Sequence, residues 1–335
     1  MGLVHELRKR GTREGNLHIL RLLAFGACLA LLPAFADAQP GGLLAPKPVR
    51  IVVPGPPGGP AGATSHLLAN KVAKYLNQTV IVENRPGAGG NIAIEYVARS
   101  PGDGMTLFFA VPALVTNPFF QKVSLDPAVL TPVVQINRGP FLLLVSPASG
   151  LASASDVVAK IKAEPGSVTC AIGVALSTVS CHLLQAHAGP MLLVAYPGNA
   201  QALAALERGE IKVLFDFMNT AGAPVKEGRV RALAVTSTER TGGDFRDLPS
   251  ISDTIPGFEL VGWQGIMAPK DTPGDVVMRL NGAFNQVLAE DEVRAAFQNS
   301  NLEIAGGTPE AFGARIARDF AFYGRVAKEA KIEPQ

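Results

Sequence analysis

Residues 49–60 read Val-Arg-Ile-Val-Val-Pro-Gly-Pro-Pro-Gly-Gly-Pro, and this stretch gives the first indication of the fold class. Its first five residues are β-branched apart from Arg50, which predicts a strand, and the Gly- and Pro-rich turn after Val53 ends that strand. Leucine and valine then recur near a 3.6-residue spacing through residues 67–76, which predicts a helix. A second strand is predicted at residues 79–83. A strand, a helix and another strand in this order form the unit from which parallel sheets are built.

The same alternation continues to the end of the chain, and it predicts an α/β fold with helices on both faces of the sheets. Further strands are predicted at residues 106–111, 141–145, 168–172, 192–195, 212–217 and 231–236, and further helices at 92–99, 154–163, 181–188, 201–209, 274–288, 291–298 and 308–330. We expect two lobes, the first made of residues 39–145 plus 268–335 and the second of residues 146–267. Two chain crossings between the lobes would form a hinge, with a ligand cleft beside it.

The first 38 residues predict a secretory signal peptide. Basic residues precede an apolar run from Leu22 to Phe35, and the run ends in Ala36-Asp37-Ala38, a small-x-small cleavage pattern. The alternative is an uncleaved membrane anchor, although the run is short for a bilayer crossing and Pro33 interrupts it. We therefore expect a periplasmic protein that starts near Gln39. Export would place Cys170 and Cys181 in an oxidising compartment, where the sequence allows either a disulfide or two semi-buried thiols.

Charge and motifs exclude several classes of function. Without residues 1–38 the chain has 25 basic and 25 acidic residues, so the basic excess of a nucleic-acid binder is absent. The sequence contains no His-Glu-x-x-His zinc motif, no Gly-x-Ser-x-Gly elbow and no phosphate-binding Gly-x-x-x-x-Gly-Lys-Ser/Thr loop. The run Gly87-Ala88-Gly89-Gly90 resembles a dinucleotide fingerprint, but its third glycine position is Ile92. We expect no enzyme activity, no metal and no cofactor.

Three Gly-rich turns each lead from a strand toward a helix, at residues 54–63, 84–91 and 173–180. The N-terminus of a helix leaves several backbone N–H groups without intrahelical partners and carries about half a positive charge. Glycine lets a ligand approach that backbone because it has no Cβ. Such turns bind carboxylate or phosphate without arginine or lysine. Each turn alone could be an ordinary connection, but together with export and two lobes they favour a cleft for a small anion.

Several segments resemble the Bug-type extracytoplasmic receptors of the tripartite tricarboxylate transporter family. The most specific is Glu83-Asn84-Arg85-Pro86-Gly87-Ala88-Gly89-Gly90-Asn91-Ile92, and the strand and turn at residues 51–60 are similar to that family's first binding loop. The resemblance continues at residues 101–107, 117–118, 196–198, 225–237, 248–249 and 263–265. It covers essentially the whole chain after the signal peptide.

This resemblance implies a type II periplasmic-binding-protein fold that closes like a Venus flytrap around a small carboxylic acid. It implies carboxylate binding by backbone amides of the first loop, partly through water, and distal contacts from the second lobe. The implied ligand-binding residues are Pro57, Gly58, Gly59, Ala61, Gly62, Gly89 and Asn91, with Gly90 nearby, and Ser177, Thr178, Ser180, Tyr196 and Asp216 in the second lobe. The implied partners are the membrane subunits of a transporter, with the receptor itself expected to be a monomer.

This sequence departs from the family pattern at positions that affect the ligand. The family usually follows its Pro-Gly-Gly turn with a short polar residue and then aspartate, where this chain has Ala61 and Gly62. The second-lobe turn from Ala171 to His182 is longer and more apolar than usual. The missing aspartate removes a contact to an amino or hydroxyl group, and the apolar surroundings favour an aromatic or aliphatic monoacid. The sequence does not identify the acid.

Two other functions remain open on this scaffold. One is a sensing subunit that reports ligand occupancy to a membrane signalling protein. The other is a secreted hydrolase that uses Ser177 or Ser180 with His182, although the sequence places no partner carboxylate beside them.

Overall fold

The β-strands lie in two sheets that share one long strand. The structure is a computed structural model that describes residues 47–58, 60–123, 126–238, 241, 243–329, 332 and 334. The predicted signal peptide lies outside these residues and stays a prediction. The strands are β1 Val49–Val53, β2 Val80–Asn84, β3 Thr106–Ala110, β4 Leu130–Val145, β5 Thr169–Ile172, β6 Leu192–Ala195, β7 Val213–Phe217, β8 Arg231–Val235, β9 Val261–Pro269 and β10 Glu303–Gly306.

Helices connect most of these strands. They are α1 Pro60–Leu76, α2 Asn91–Ala98, α3 Ala113–Phe120, α4 Ala154–Ala163, α5 Ala175–Ala188, α6 Asn199–Glu207, α7 Met218–Lys226, α8 Gly274–Leu288, α9 Asp291–Asn299 and α10 Pro309–Glu329. None of the helices in the described residues is long and apolar enough to span a membrane.

Strand pairing divides the protein into two lobes. In the first lobe the strand order is β2-β1-β3-β9-β4-β10, and β1, β2, β3 and β4 run in one direction while β9 and β10 run in the other. In the second lobe β4 pairs with β7 and β8, and β7 continues to β5 and β6. All these second-lobe strands run antiparallel to β4. Each lobe is therefore mostly parallel, and the expected α/β fold is confirmed.

The chain passes between the lobes in β4 and in β9. Pairing of β4 with β9 ends at Pro140 and Val261, and pairing with β7 begins at Phe141. We predicted the lobe boundaries a few residues later, at 145/146 and 267/268, and those boundaries stay a prediction. The sequence signal for β4 was incomplete because Pro132 and Pro140 interrupt it. Register shifts beside Pro132 and after Gln135 accommodate the irregular strand.

Apolar strand residues alternate between two cores. Ile51 and Phe109 pack with α1 and α8 on one face of the first sheet, and Val52 and Phe108 belong to the core on the other face. Because both faces are covered, the sequence of β1 is an apolar run that only Arg50 interrupts. The core that contains Val52 continues into the second lobe and includes Phe141 and the disulfide-bonded cysteines.

The structure corrects the prediction for the turn at residues 173–180. The helix expected at residues 181–188 begins six residues earlier, at Ala175, so most of the predicted turn is helical. The Ser177 hydroxyl explains the early start, because its Oγ accepts hydrogen bonds from the N–H groups of Gly173 and Val174, each at 3.0 Å. Helices α3 and α7 were not predicted, since each contains a proline, Pro118 or Pro224, that reads as a helix breaker.

A disulfide joins Cys170 of β5 to Cys181 of α5, with the Cα atoms 6.2 Å apart. Both cysteines are fully buried. This decides between the two alternatives that the sequence left open. The cross-link ties the middle of α5 to the sheet and so limits movement of the turn between β5 and the helix.

Candidate ligand cleft

The strand directions place six strand-to-helix turns around one crevice. In the first lobe β1, β2 and β3 run parallel to β4, so their carboxyl ends lie at the edge where β4 leaves for the second lobe. In the second lobe β5, β6 and β7 run antiparallel to β4, so they end at the edge where β4 enters. The N-termini of α1, α2, α3, α5, α6 and α7 follow these ends. Crevices at the carboxyl ends of strands are the usual ligand sites of α/β proteins.

The first loop, after β1, is exposed at its tip and becomes buried where α1 begins, with Ala61 half-buried and Gly62 buried. Pro57 and Gly58 are exposed, and Gly58 has a φ of +81°, which favours glycine. Ala61 and Gly62 lie in the first turn of α1, where N–H groups lack intrahelical acceptors. Among the described residues, no side chain accepts a hydrogen bond from the N–H of Gly58, Ala61 or Gly62. Gly59, also predicted to bind ligand, lies outside the described residues.

A buried amide network supports the second loop, after β2. Gly87, Gly89 and Gly90 all have positive φ, so the turn needs glycine at these positions. The Asn117 Nδ2 group donates to the carbonyl of Gly89 and to Asn91 Oδ1, each at 3.0 Å, and Asn91 Nδ2 donates to Gln121. Asn91 is therefore buried and bonded within the protein, while Gly89 is exposed at the turn.

The second-lobe serines are bonded within the protein. Ser177 and Ser180 are fully buried. The Ser177 hydroxyl lies 2.8 Å from the Val174 carbonyl and 3.2 Å from Asn199 Oδ1, and Ser180 donates to the Leu176 carbonyl at 2.9 Å. Neither hydroxyl is bonded to His182 in the described part of the chain. Burial lowers the pKa of His182, which favours its neutral form.

Asp216 is a buried carboxylate at the end of β7, with no exposed surface. It accepts hydrogen bonds from Asn199 Nδ2 at 2.6 Å, from the Phe217 N–H at 2.8 Å and from the Thr220 hydroxyl at 2.9 Å. Burial raises the pKa of Asp216, although these three donors act in the opposite direction. Of the other second-lobe candidates, Tyr196 is half-buried beside α6 and Thr178 donates to the Val174 carbonyl at 3.0 Å.

A small cavity of about 60 Å³ forms the floor of the crevice between the lobes. Its lining combines the end of β3, the start of α7 and the crossing strands, and the residues are Val111, Pro112, Asn137, Gly139, Phe217, Asn219, Gly262, Trp263, Gln264 and Leu302. Gly262 allows close packing here, because a Cβ would lie 3.0 Å from the Phe217 ring and 3.4 Å from Leu176. Sequence reasoning missed most of these floor residues, since they carry no charge and follow no motif.

A larger groove of about 890 Å³ lies on the other face of the crossing strands. Side chains alternate along a strand, so Arg138 and Val261 face this groove while Asn137 and Gly262 face the floor cavity. Arg138 forms an ion pair with Glu303, and Arg315 pairs with Asp319 at 2.9 Å. None of the predicted ligand residues that the structure describes lines either cavity. Among those predictions, Asp216 lies nearest to the floor in sequence, directly before Phe217.

Cationic side chains are scarce around the crevice. The sequence of the six turns contains one arginine, Arg85, and no lysine. Arg85 is held by Glu83, with Nε 2.6 Å from Oε1, and its guanidinium lies 3.5 Å from the centre of the Tyr96 ring. His66 is exposed on α1. Trp263 lines the floor, donates to Asp319 at 2.7 Å and packs edge-on against Phe312.

Two mostly parallel lobes joined by crossing strands define the class of periplasmic solute-binding proteins, and comparison with solved structures agrees. A structure of an R. palustris protein with adipate has a TM-score of 0.78 and 29% sequence identity, over 87% of this chain and 100% of that chain. The structure of the periplasmic binding protein BugD has a TM-score of 0.75 and 27% sequence identity, over 86% of this chain and 99% of that chain. The structure of MatC from Rhodopseudomonas palustris with bound malate has a TM-score of 0.74 and 27% sequence identity, over 84% of this chain and 99% of that chain.

The family model described as tripartite tricarboxylate transporter family receptor matches residues 65–330. A UPF0065 protein encoded in the tcbD-tcbE intergenic region of a Pseudomonas species is 33% identical over 303 residues, which cover 88% of this chain and 89% of that protein. Protein BugT of Bordetella pertussis is 30% identical over 310 residues, covering 89% and 92%. The chain belongs to the tripartite tricarboxylate transporter receptor family, as the sequence resemblance predicted.

Proposed function

We propose that this protein is a periplasmic receptor that captures a small carboxylic acid between its two lobes and delivers it to a tripartite tricarboxylate-type transporter. The observation that carries the proposal is the first loop, which follows β1 at the crevice. The N–H groups of Gly58, Ala61 and Gly62 in this loop donate to no described side chain. A helix N-terminus of this kind attracts an anion. Relatives with bound adipate and malate support a carboxylate as the ligand.

The predicted ligand residues divide into two groups in this proposal. Backbone contacts come from the first-lobe turns, at Gly58, Gly59, Ala61, Gly62 and Gly89. Pro57 lines the same turn without an N–H to donate, and Thr178 and Tyr196 close from the second lobe. Asn91, Ser177, Ser180 and Asp216 position those turns, because their polar atoms are buried and already bonded within the protein. Their role is to hold the turns rather than to contact the acid.

Export and transport complete the proposal. Residues 1–38 direct the chain to the periplasm, where the mature receptor acts as a monomer without a cofactor or catalysis. The ligand binds the open lobes, and contacts made to both lobes at once favour the closed form. The membrane subunits then receive the acid from the closed receptor.

Thermal unfolding in the presence of single carboxylic acids tests this function. A panel should include hexanoate, benzoate, adipate, malate and citrate. A bound acid at 100 times its Kd is expected to stabilise the protein by about 2.7 kcal/mol. If none of these acids raises the melting temperature, the proposed function is wrong.

A matched pair of glycine variants tests the loop. Gly58→Val places a side chain in the first loop and is expected to weaken acid binding at least tenfold. Gly166→Val is the control, because Gly166 has nearly the same φ, +80° against +81°, and the same open surroundings, but lies before the amino end of β5. Equal affinities for the two variants would show that the first loop does not bind the acid.

A further inference from the structure

The two lobes differ in how many turn N–H groups the protein satisfies by itself. In the second lobe Ser177 accepts from the N–H groups of Gly173 and Val174, and Asp216 accepts from that of Phe217. In the first loop no described side chain accepts from Gly58, Ala61 or Gly62. The first loop therefore keeps its backbone donors for a carboxylate, whereas side chains already occupy part of the donors in the second-lobe turns after β5 and β7.

Charge in the second lobe disfavours a second carboxylate. The turns after β5, β6 and β7 contain no acidic or basic residue, and Asp216, the next-to-last residue of β7, is the charged group nearest to them in sequence. It lies beside the N-termini of α6 and α7, where it takes the place that an external anion would occupy. A ligand carboxylate near it would lose hydration and gain no cation in exchange.

The floor cavity has no ionisable side chain in its lining. Val111, Pro112, Phe217, Trp263 and Leu302 supply apolar surface. Its polar side chains are the amides of Asn137, Asn219 and Gln264, and Asn137 already donates to Gln264 at 2.7 Å. The arginines near the crossing strands, Arg138 and Arg315, face the groove on the opposite side, and both are paired with acids.

Together these features define the ligand class, and the inference rests on the proposed function. We propose that the receptor selects monocarboxylates with an uncharged, largely apolar tail over dicarboxylates of the same length. The carboxylate lies on the first-lobe loops, and the tail enters the floor cavity between Phe217 and Trp263. An apolar tail gains from leaving water, whereas a second carboxylate would be desolvated there without a partner.

Hexanoate and adipate provide the direct test, because both have six carbons and differ by the second carboxylate. Isothermal titration calorimetry at pH 8, where both acids are fully ionised, is expected to give at least tenfold tighter binding of hexanoate. Equal or tighter binding of adipate or malate would overturn the inference and leave the proposed function intact. Failure of every acid would instead reject the proposed function.

A variant pair tests the position of the tail. Asn219 is exposed in the first turn of α7 and lines the floor cavity. Asn219→Arg would supply the missing cation and is expected to lower the preference for hexanoate over adipate at least tenfold, while Asn219→Gln should keep it. An unchanged preference in Asn219→Arg would show that the tail does not reach the floor, and the inference would be wrong.

Discussion

The first and second lobes end their parallel strands in similar turns but use the backbone of those turns differently. In the second lobe, the Ser177 hydroxyl accepts from the N–H groups of Gly173 and Val174 in the turn after β5, and a disulfide fixes the helix that follows this turn. In the first lobe the turn after β1 is exposed at Pro57 and Gly58, and the described side-chain bonds to its backbone go to carbonyls, from Asn84 Nδ2 to Gly55 and from Ser65 Oγ to Gly62, each at 2.9 Å.

This difference separates two tasks that a binding cleft must perform. The first lobe offers unsatisfied donors and so provides attraction for an anion. In the second lobe the N–H groups of Gly173, Val174 and Phe217 already donate to side chains, so this part of the lobe provides a fixed, mostly uncharged wall. A cleft built in this way binds one end of an acid by hydrogen bonds and the other end by shape and apolar contact.

The largest expected effect concerns the internal order of the second lobe. Asn199 donates to Asp216 at 2.6 Å and to the Phe215 carbonyl at 3.2 Å, and its Oδ1 lies 3.2 Å from the Ser177 hydroxyl. Asn199→Ala leaves these buried groups without a partner and is expected to lower the free energy of unfolding by about 3 kcal/mol. Urea denaturation measures the change.

The corresponding variant in the first lobe is Asn84→Ala, and its loss of stability is compared with that of Asn199→Ala. The Asn84 side chain is half-buried and makes one hydrogen bond to a described residue, the Gly55 carbonyl. Asn84→Ala is therefore expected to lower the free energy of unfolding by about 1 kcal/mol in the same urea experiment. Equal losses in the two variants would contradict the view that the second lobe is the more internally bonded one.

A smaller effect is expected in the pH dependence of stability. Burial raises the pKa of Asp216, so the folded protein holds this proton more tightly than the unfolded chain. The stabilisation is complete below the unfolded pKa of about 4 and is lost as the pH rises through the raised folded value. Relative to Asp216→Asn, the wild-type protein should therefore lose stability as pH rises from 4.

Asp156 serves as the control of opposite sign. Hydrogen bonds from the Ala152 N–H and from Ser153 lower the pKa of this exposed carboxyl at the start of α4. Its contribution is present above the unfolded pKa and is lost as pH falls through the lower folded value. If Asp216→Asn and Asp156→Asn changed the pH profile in the same direction, the burial argument for Asp216 would be wrong.

Much of the fold could be predicted from the sequence because periodicity and turns agree over long stretches. Helices α4 and α8 have the predicted bounds, and β1 was predicted to the residue. The prediction of secondary structure failed where pairing with a strand far along the chain outweighs the local sequence pattern. The full length of β4 depends on pairing with β9 through two register shifts, and residues 130–140 contain prolines that read as breaks.

The candidate cleft was predictable only in part. The glycine turns of the first lobe stand out in the sequence, because glycine at positive φ leaves a recognisable pattern. The buried roles of Ser177 and Asp216 depend on Asn199, which is 22 and 17 residues away, and no spacing rule connects them. The floor cavity combines residues from Val111 to Leu302, which only the folded chain brings together.

Backbone amide NMR with and without saturating hexanoate tests whether the first-lobe N–H groups bind the carboxylate. If the first lobe holds the carboxylate, the amide protons of Gly58, Ala61, Gly62 and Gly89 shift downfield as they form charge-assisted hydrogen bonds. Those of Gly173 and Val174 stay close to their positions in the free protein, because Ser177 continues to accept from them. Large shifts at Gly173, Val174 and Phe217 with little change in the first loop would contradict the account.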